Sequence, residues 1–120
     1  MSKKITLKTL HKATEQEVFD KVAKHLLKQN MKSEGCGACL YRGPSKLKCA
    51  AGCLISDSEY SPEMETKDWD LLIIKGVVPE KHSKLIIQLQ YIHDINTPLE
   101  WREKLIELAD KLKFSKKVLG

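Results

Sequence analysis

Two Thr-x-x-Glu pairs, Thr14 with Glu17 and Thr97 with Glu100, constrain the fold of this chain more than any other feature. At this spacing the threonine hydroxyl accepts an N–H of the first helical turn and the glutamate reaches back to the cap N–H. Each pair therefore marks a helix start. Behind the first, Val18, Val22 and Leu26, with Phe19, Ala23 and Leu27 beside them, recur at helical spacing. They predict a helix over about Glu15 to Gln29, with Lys21, Lys24 and Lys28 along its polar face. Behind the second, Pro98 suits the first turn, and Trp101, Leu105, Leu108 and Leu112 form the apolar stripe of a closing helix.

Between these two helices the pattern is mixed. Leu85, Ile86, Leu89 and Ile92 predict a third helix with Pro79 in its first turn and an end near Asn96. Only "NTP" separates it from the closing helix, so the two are expected to pack as an antiparallel pair. "KDWDLLIIKG" (67–76) reads as a short helix capped by Gly76, with a strand through Leu71 to Ile74 as the alternative. Ala38 to Arg42 and Leu47 to Ala51 flank the turn-forming "GPSK" and read as a β-hairpin over about 38–51. Pairing Tyr41 with Leu47 sets Cys39 opposite Cys49. Strand alternation then puts Cys39, Tyr41, Leu47, Cys49 and Ala51 inward and Leu40, Arg42, Lys48 and Ala50 outward. The expected fold is α+β: an N-terminal helix, a central hairpin, then two to three helices.

The chain has 120 residues, 42% of them hydrophobic, and a formal charge of +5. That is room for a single domain over 1–120, with 1–13 and 115–120 as flexible basic ends. No apolar run of about 18 residues is present to span a bilayer, and no signal-peptide core follows Lys3 and Lys4. A cytoplasmic protein without membrane contact is expected, and there lasting disulfides are disfavoured. Lysines lead and close the chain, while Asp57, Glu59, Glu63, Glu65, Asp68 and Asp70 crowd 56–70 against Lys67. Two-sided charge of this kind suits binding to nucleic acid, a nucleotide or a charged protein surface.

Cys36, Cys39, Cys49 and Cys53 follow C-x2-C-x9-C-x3-C, a ligand type and number that fit structural zinc. Zinc through these four cysteines is the alternative to a protein without cofactor. Cys36-Gly-Ala-Cys39 lacks the strand-to-helix context that activates a redox thiol. Cys36 with Arg42 gives the C-x5-R spacing of a thiolate phosphatase, but no Ser or Thr follows Arg42 and the intervening residues read as a strand. His93 and Asp94 are neighbours on a helix and so point apart, which argues against a dyad. "DSEYSPEME" lacks the glycine of a calcium loop. The favoured binding residues are Arg42 and Lys48 on the outer hairpin face, Lys46 at its turn and Tyr41 nearby. They offer a guanidinium fork and an aromatic surface to phosphate and base.

"CLYRGPSKLKCAAGCLISDSEYSPEME", with "LQYIHD" and the closing tryptophan helix downstream, resembles a group of small proteins of tailed bacteriophages and prophages. The resemblance covers most of the chain. Cys39 and Cys49 match that group's sulfur positions, and Cys36 and Cys53 depart from its pattern. The resemblance implies a phage context and no particular chemistry. The expectation is a non-enzymatic accessory protein that binds a host factor or an anionic ligand, nucleotide or nucleic acid, to counter host defence. A zinc-stabilised nucleic-acid-binding module is the alternative, and a cysteine-dependent hydrolase the third reading.

Overall fold

The structure is a computed structural model that describes residues 4–35 and 38–120. Of these residues 56% are helical and 4% lie in strands, so the chain is mainly helical and the α+β expectation does not hold. Helix α1 spans Glu15–Gln29, α2 Trp69–Ile74, α3 Ser83–Ile95 and α4 Pro98–Leu112. Strands β1, Glu34–Gly35, and β2, Ala38–Cys39, form a two-residue antiparallel pair. Short 3₁₀ turns punctuate the remainder.

Both capping boxes form. Thr14 Oγ1 accepts from Glu17 N at 3.1 Å and Glu17 Oε1 from Thr14 N at 2.8 Å, while Glu100 accepts from Thr97 N at 2.9 Å. Asp68 caps α2 by accepting from Leu71 N at 2.9 Å, and that stretch is a helix, not a strand. Helix α3 begins at Ser83, four residues beyond Pro79, because His82 holds a left-handed φ of 66° that interrupts any earlier helical turn. Helices α1, α3 and α4 pack on one another, with α2 against α3.

The core between them includes Phe19, Leu26, Leu89, Trp101 and Leu105. Phe19 meets Phe114 at 5.3 Å between ring centroids. Ile5, Leu10 and Ala13 near one end and Leu119 at the other are also buried. These side chains tie parts of residues 4–13 and 115–120 to the core.

The central hairpin over 38–51 is absent. Cys39 pairs with Glu34, not Cys49, and across the turn the described residues form an isolated bridge between Arg42 and Lys48 and a bond from Gly43 N to Leu47 O at 2.8 Å. Ser45 and Lys46 both take left-handed φ values in the turn, and Gly52–Leu54 is a 3₁₀ turn just past the expected end of the second strand. The cause is competition for backbone groups, since every buried N–H and C=O must find a partner. Glu65 accepts from Tyr41 N at 2.9 Å and Arg42 N at 3.1 Å. Gln29 bonds both Lys48 N (3.0 Å) and Lys48 O (2.9 Å), and Gln90 accepts from Ala51 N at 2.8 Å. These side chains take the bonds that a ladder would have used. Residues 39–53 become a strap laid over α1 and α3.

Candidate functional site

Two grooves open on either side of this strap, with walls of opposite charge. The first, about 610 Å³, runs along the polar face of α1. Lys21, Lys24 and Lys28 stand on the helix, Lys48 enters from the strap, and Glu17 and Asp20 are the acids in the same wall. Among the described residues, none of these four lysines has a carboxylate within ion-pair distance. His25 stands among them and donates from Nε2 to Lys48 O at 2.8 Å. Burial lowers its pKa, outweighing the Lys48 carbonyl that raises it, and the Lys48 and Lys21 charges push the same way as burial. It is a neutral ring at neutral pH.

The second groove, about 470 Å³, lies between the strap and helices α2 and α3. Asp68, Asp70 and Asp94 supply carboxylates, and Tyr41, Trp69 and Tyr91 supply rings. At its base His93 is fully buried and stacked on Trp101 at 5.4 Å. His93 Nε2 accepts the backbone N–H of Ser33 at 3.1 Å, so the proton sits on Nδ1 and is donated to Asp94 Oδ1 at 2.8 Å. Gln90 Nε2 donates to the same oxygen at 2.6 Å. The Cys39 thiol faces the same carboxylate, and burial together with that partner pushes its pKa up to about 11. Burial pushes Asp94 up as well, but the bonds from His93, Cys39 and Gln90 outweigh it and hold the carboxyl below its ordinary value.

No protein-family model matches the chain, and no curated protein or solved structure matches it. The site therefore stands on its geometry alone. Tyr41, Arg42, Lys46 and Lys48 do not share one face. Tyr41 is buried and donates from its hydroxyl to Lys67 O at 2.6 Å, with its side chain in the acidic groove. Arg42 is bound within the molecule: its guanidinium donates to Asp57 Oδ1 at 2.6 Å and Ile55 O at 2.8 Å, and lies 4.8 Å over the Tyr60 ring. Lys46 is exposed at the turn. Lys48 alone joins a cationic wall, and the lysines it joins are those of α1.

The thiols likewise have separate roles. Cys49 is buried in the acidic groove and its sulfur accepts from Gly52 N at 3.3 Å, whereas Cys53 lines the lysine groove and donates to Ala50 O at 3.1 Å. Cys36 lies outside the described residues. Among the described residues, the cluster with metal-ligand chemistry is Cys39, His93 and Asp94, whose atoms lie within 4.8 Å of one another. Hydrogen bonding accounts for it: Nδ1 carries a proton, Nε2 is occupied by Ser33, and the thiol is protonated at neutral pH. A thiolate nucleophile or ligand would require each of these to change.

The expectation that His93 and Asp94 point apart is overturned, because Asp94 turns back along the helix to meet Nδ1 of its own neighbour. The dipeptide is a visible signal. Its acceptor partner Ser33, 60 residues away, is not. Among the described residues no helix is long and apolar enough to cross a membrane.

Proposed function

We propose that this chain is a small non-enzymatic accessory protein of phage or prophage origin that binds a phosphate-bearing anion, a nucleotide or nucleic-acid strand, in the lysine groove of α1. One observation carries the reading: four lysines from two separate parts of the chain gather around a single groove without carboxylate partners among the described residues. Lysines left unpaired hold their charge for an external anion, and the counterions released when a phosphate binds favour the contact. Lys21 and Lys28 are seven residues apart, about 10 Å along the helix axis. That reach covers about three phosphates at ~3.4 Å per residue of strand. The neutral His25 ring adds a flat polar surface without a competing charge. The phage context rests on the "YRGP" and "KCAAG" motifs, and a protonated Cys39 thiol favours binding over covalent chemistry.

The test is fluorescence anisotropy of a labelled 12-mer oligothymidylate against the full chain. Replacing Lys21, Lys24, Lys28 and Lys48 together by Gln is expected to weaken binding at least about tenfold, as several phosphate contacts are lost. Equal affinity of the variant and the parent protein would overturn the reading.

A further inference from the structure

In the lysine groove one ring is placed to answer the charges around it. His25 follows Lys21 by four residues on α1 and precedes Lys28 by three, spacings that put the three side chains on one stripe of the helix. Lys48 adjoins the ring from the strap, Lys24 is its neighbour on α1, and the acids of the wall, Glu17 and Asp20, lie earlier on the helix. Cys53 in the same groove and His93 on α3 are the other titratable groups about it, while the C-terminal turn contributes the apolar Val118. Because Nε2 donates to the Lys48 carbonyl, the proton of the neutral ring sits there and Nδ1 carries the lone pair. Among the described residues Nδ1 has no hydrogen-bond partner, yet it is not a buried orphan: it reaches the solvent of the groove.

We infer that His25 is a proton-linked ligand of the anion in this groove, gaining a proton at Nδ1 as the anion binds and donating the new N–H to a phosphate oxygen held by the flanking lysines. The inference rests on the anion-site reading and adds to it a regulation by pH. A lone pair at Nδ1 gives a phosphate oxygen nothing to accept, whereas an N–H there gives it a charge-assisted bond. In the free protein, burial and the neighbouring ammonium groups oppose that proton. A phosphate lodged among Lys21, Lys28 and Lys48 neutralises the same ammonium groups and brings an opposite charge to the ring, which reverses the balance. The coupling is reciprocal: an anion that raises the proton affinity of the ring is itself bound more tightly once the proton is there. Anion affinity therefore rises in acid, while the same ring costs the free fold stability there. The opposite signs keep the ligand effect apart from any general change in stability.

The experiment measures oligothymidylate anisotropy on the full chain at about pH 7.5 and about pH 5.5 at fixed ionic strength, a range in which histidine titrates and the phosphodiesters and thymine do not. Binding by the parent protein is expected to tighten about fivefold between the two. In His25→Gln, whose amide can still donate to Lys48 O, the ratio of the two affinities should fall to about one. A second readout needs no substitution: the His25 imidazole resonances should titrate at higher pH with saturating oligothymidylate than without it. A parental ratio near one, a fivefold ratio kept by His25→Gln, or a His25 titration that ignores the ligand would overturn the inference even where the four-lysine variant loses binding as expected. Binding that survives loss of the four lysines overturns the site reading instead, and this inference with it.

Discussion

The two grooves lie on opposite sides of the strap and differ in how their charges are used. Along α1 the lysines stand on a regular helix whose backbone is satisfied by its own bonds, so their side chains carry no part of the fold's hydrogen bonding. Across the strap the acids have structural duties: Asp68 caps α2, Asp94 holds His93 and Gln90, and Glu65 binds the backbone of Tyr41 and Arg42 and the Tyr60 hydroxyl. The lesson is that a charge on a finished helix is free for a ligand, whereas a charge beside irregular chain is first committed to the backbone. Substitutions should therefore separate cleanly into those that unfold and those that only unbind.

The largest expected effect is at the strap itself. A Cβ added to Gly52 would lie 2.2 Å from Tyr41 O and 3.0 Å from Tyr41 C, both backbone atoms without room to yield. Gly52→Ala should cost about 3 kcal/mol in urea unfolding and disturb both grooves together. A loss below about 1 kcal/mol would mean that the strap is not pinned there. Next comes His93→Leu, which leaves Ser33 N–H without an acceptor and removes one of the donors to Asp94. It should cost about 2–3 kcal/mol by the same assay. The loss should be felt in the acidic groove, with oligothymidylate affinity nearly unchanged in the folded protein.

The pH dependence is smaller and belongs to the lysine side. His25 has its pKa lowered by burial below the ordinary 6.5, so the unfolded chain takes up its proton first as pH falls. Its contribution is complete above pH 6.5 and is lost on descending from that value towards the folded pKa. His25→Gln, which can still donate to Lys48 O, should flatten the stability profile on the acid side of pH 6.5, as read by thermal melts. Asp94, with a folded pKa held below 3.8, contributes above that value and loses its share only at more acid pH. The two descents are thus separable on one pH axis. Least of all, Lys24→Gln and Lys28→Gln should each change stability by no more than about 0.5 kcal/mol, since both side chains are exposed.

The sequence is legible where local chemistry decides. The capping boxes place the starts of α1 and α4, and lysine spacing alone shows the cationic face of α1. It misleads where one pattern admits two outcomes. "CLYRGPSKLKCAA" alternates as a hairpin should, but Gln29, Glu65 and Gln90 claim its backbone groups, and nothing in the stretch itself announces those distant partners. For the same reason strand alternation puts Lys48 on a hairpin face with Arg42, when the fold turns Lys48 towards α1 and ties Arg42 to Asp57. The acidic groove is hidden most fully. Its residues come from the strap, α2 and α3, and the unpaired indole N–H of Trp69 is a property of packing that no spacing records.

The most direct test of the division between the grooves is the salt dependence of oligothymidylate binding. With three to four lysines contacting phosphate, the plot of log affinity against log salt concentration should have a slope between about −2 and −3, at ~0.7 per contact on a single strand. In the Lys21, Lys24, Lys28 and Lys48 to Gln variant the residual slope should approach zero, while an Asp68→Asn, Asp70→Asn double variant keeps the parental slope. A parental slope near zero, or one that survives loss of the four lysines, would contradict the account.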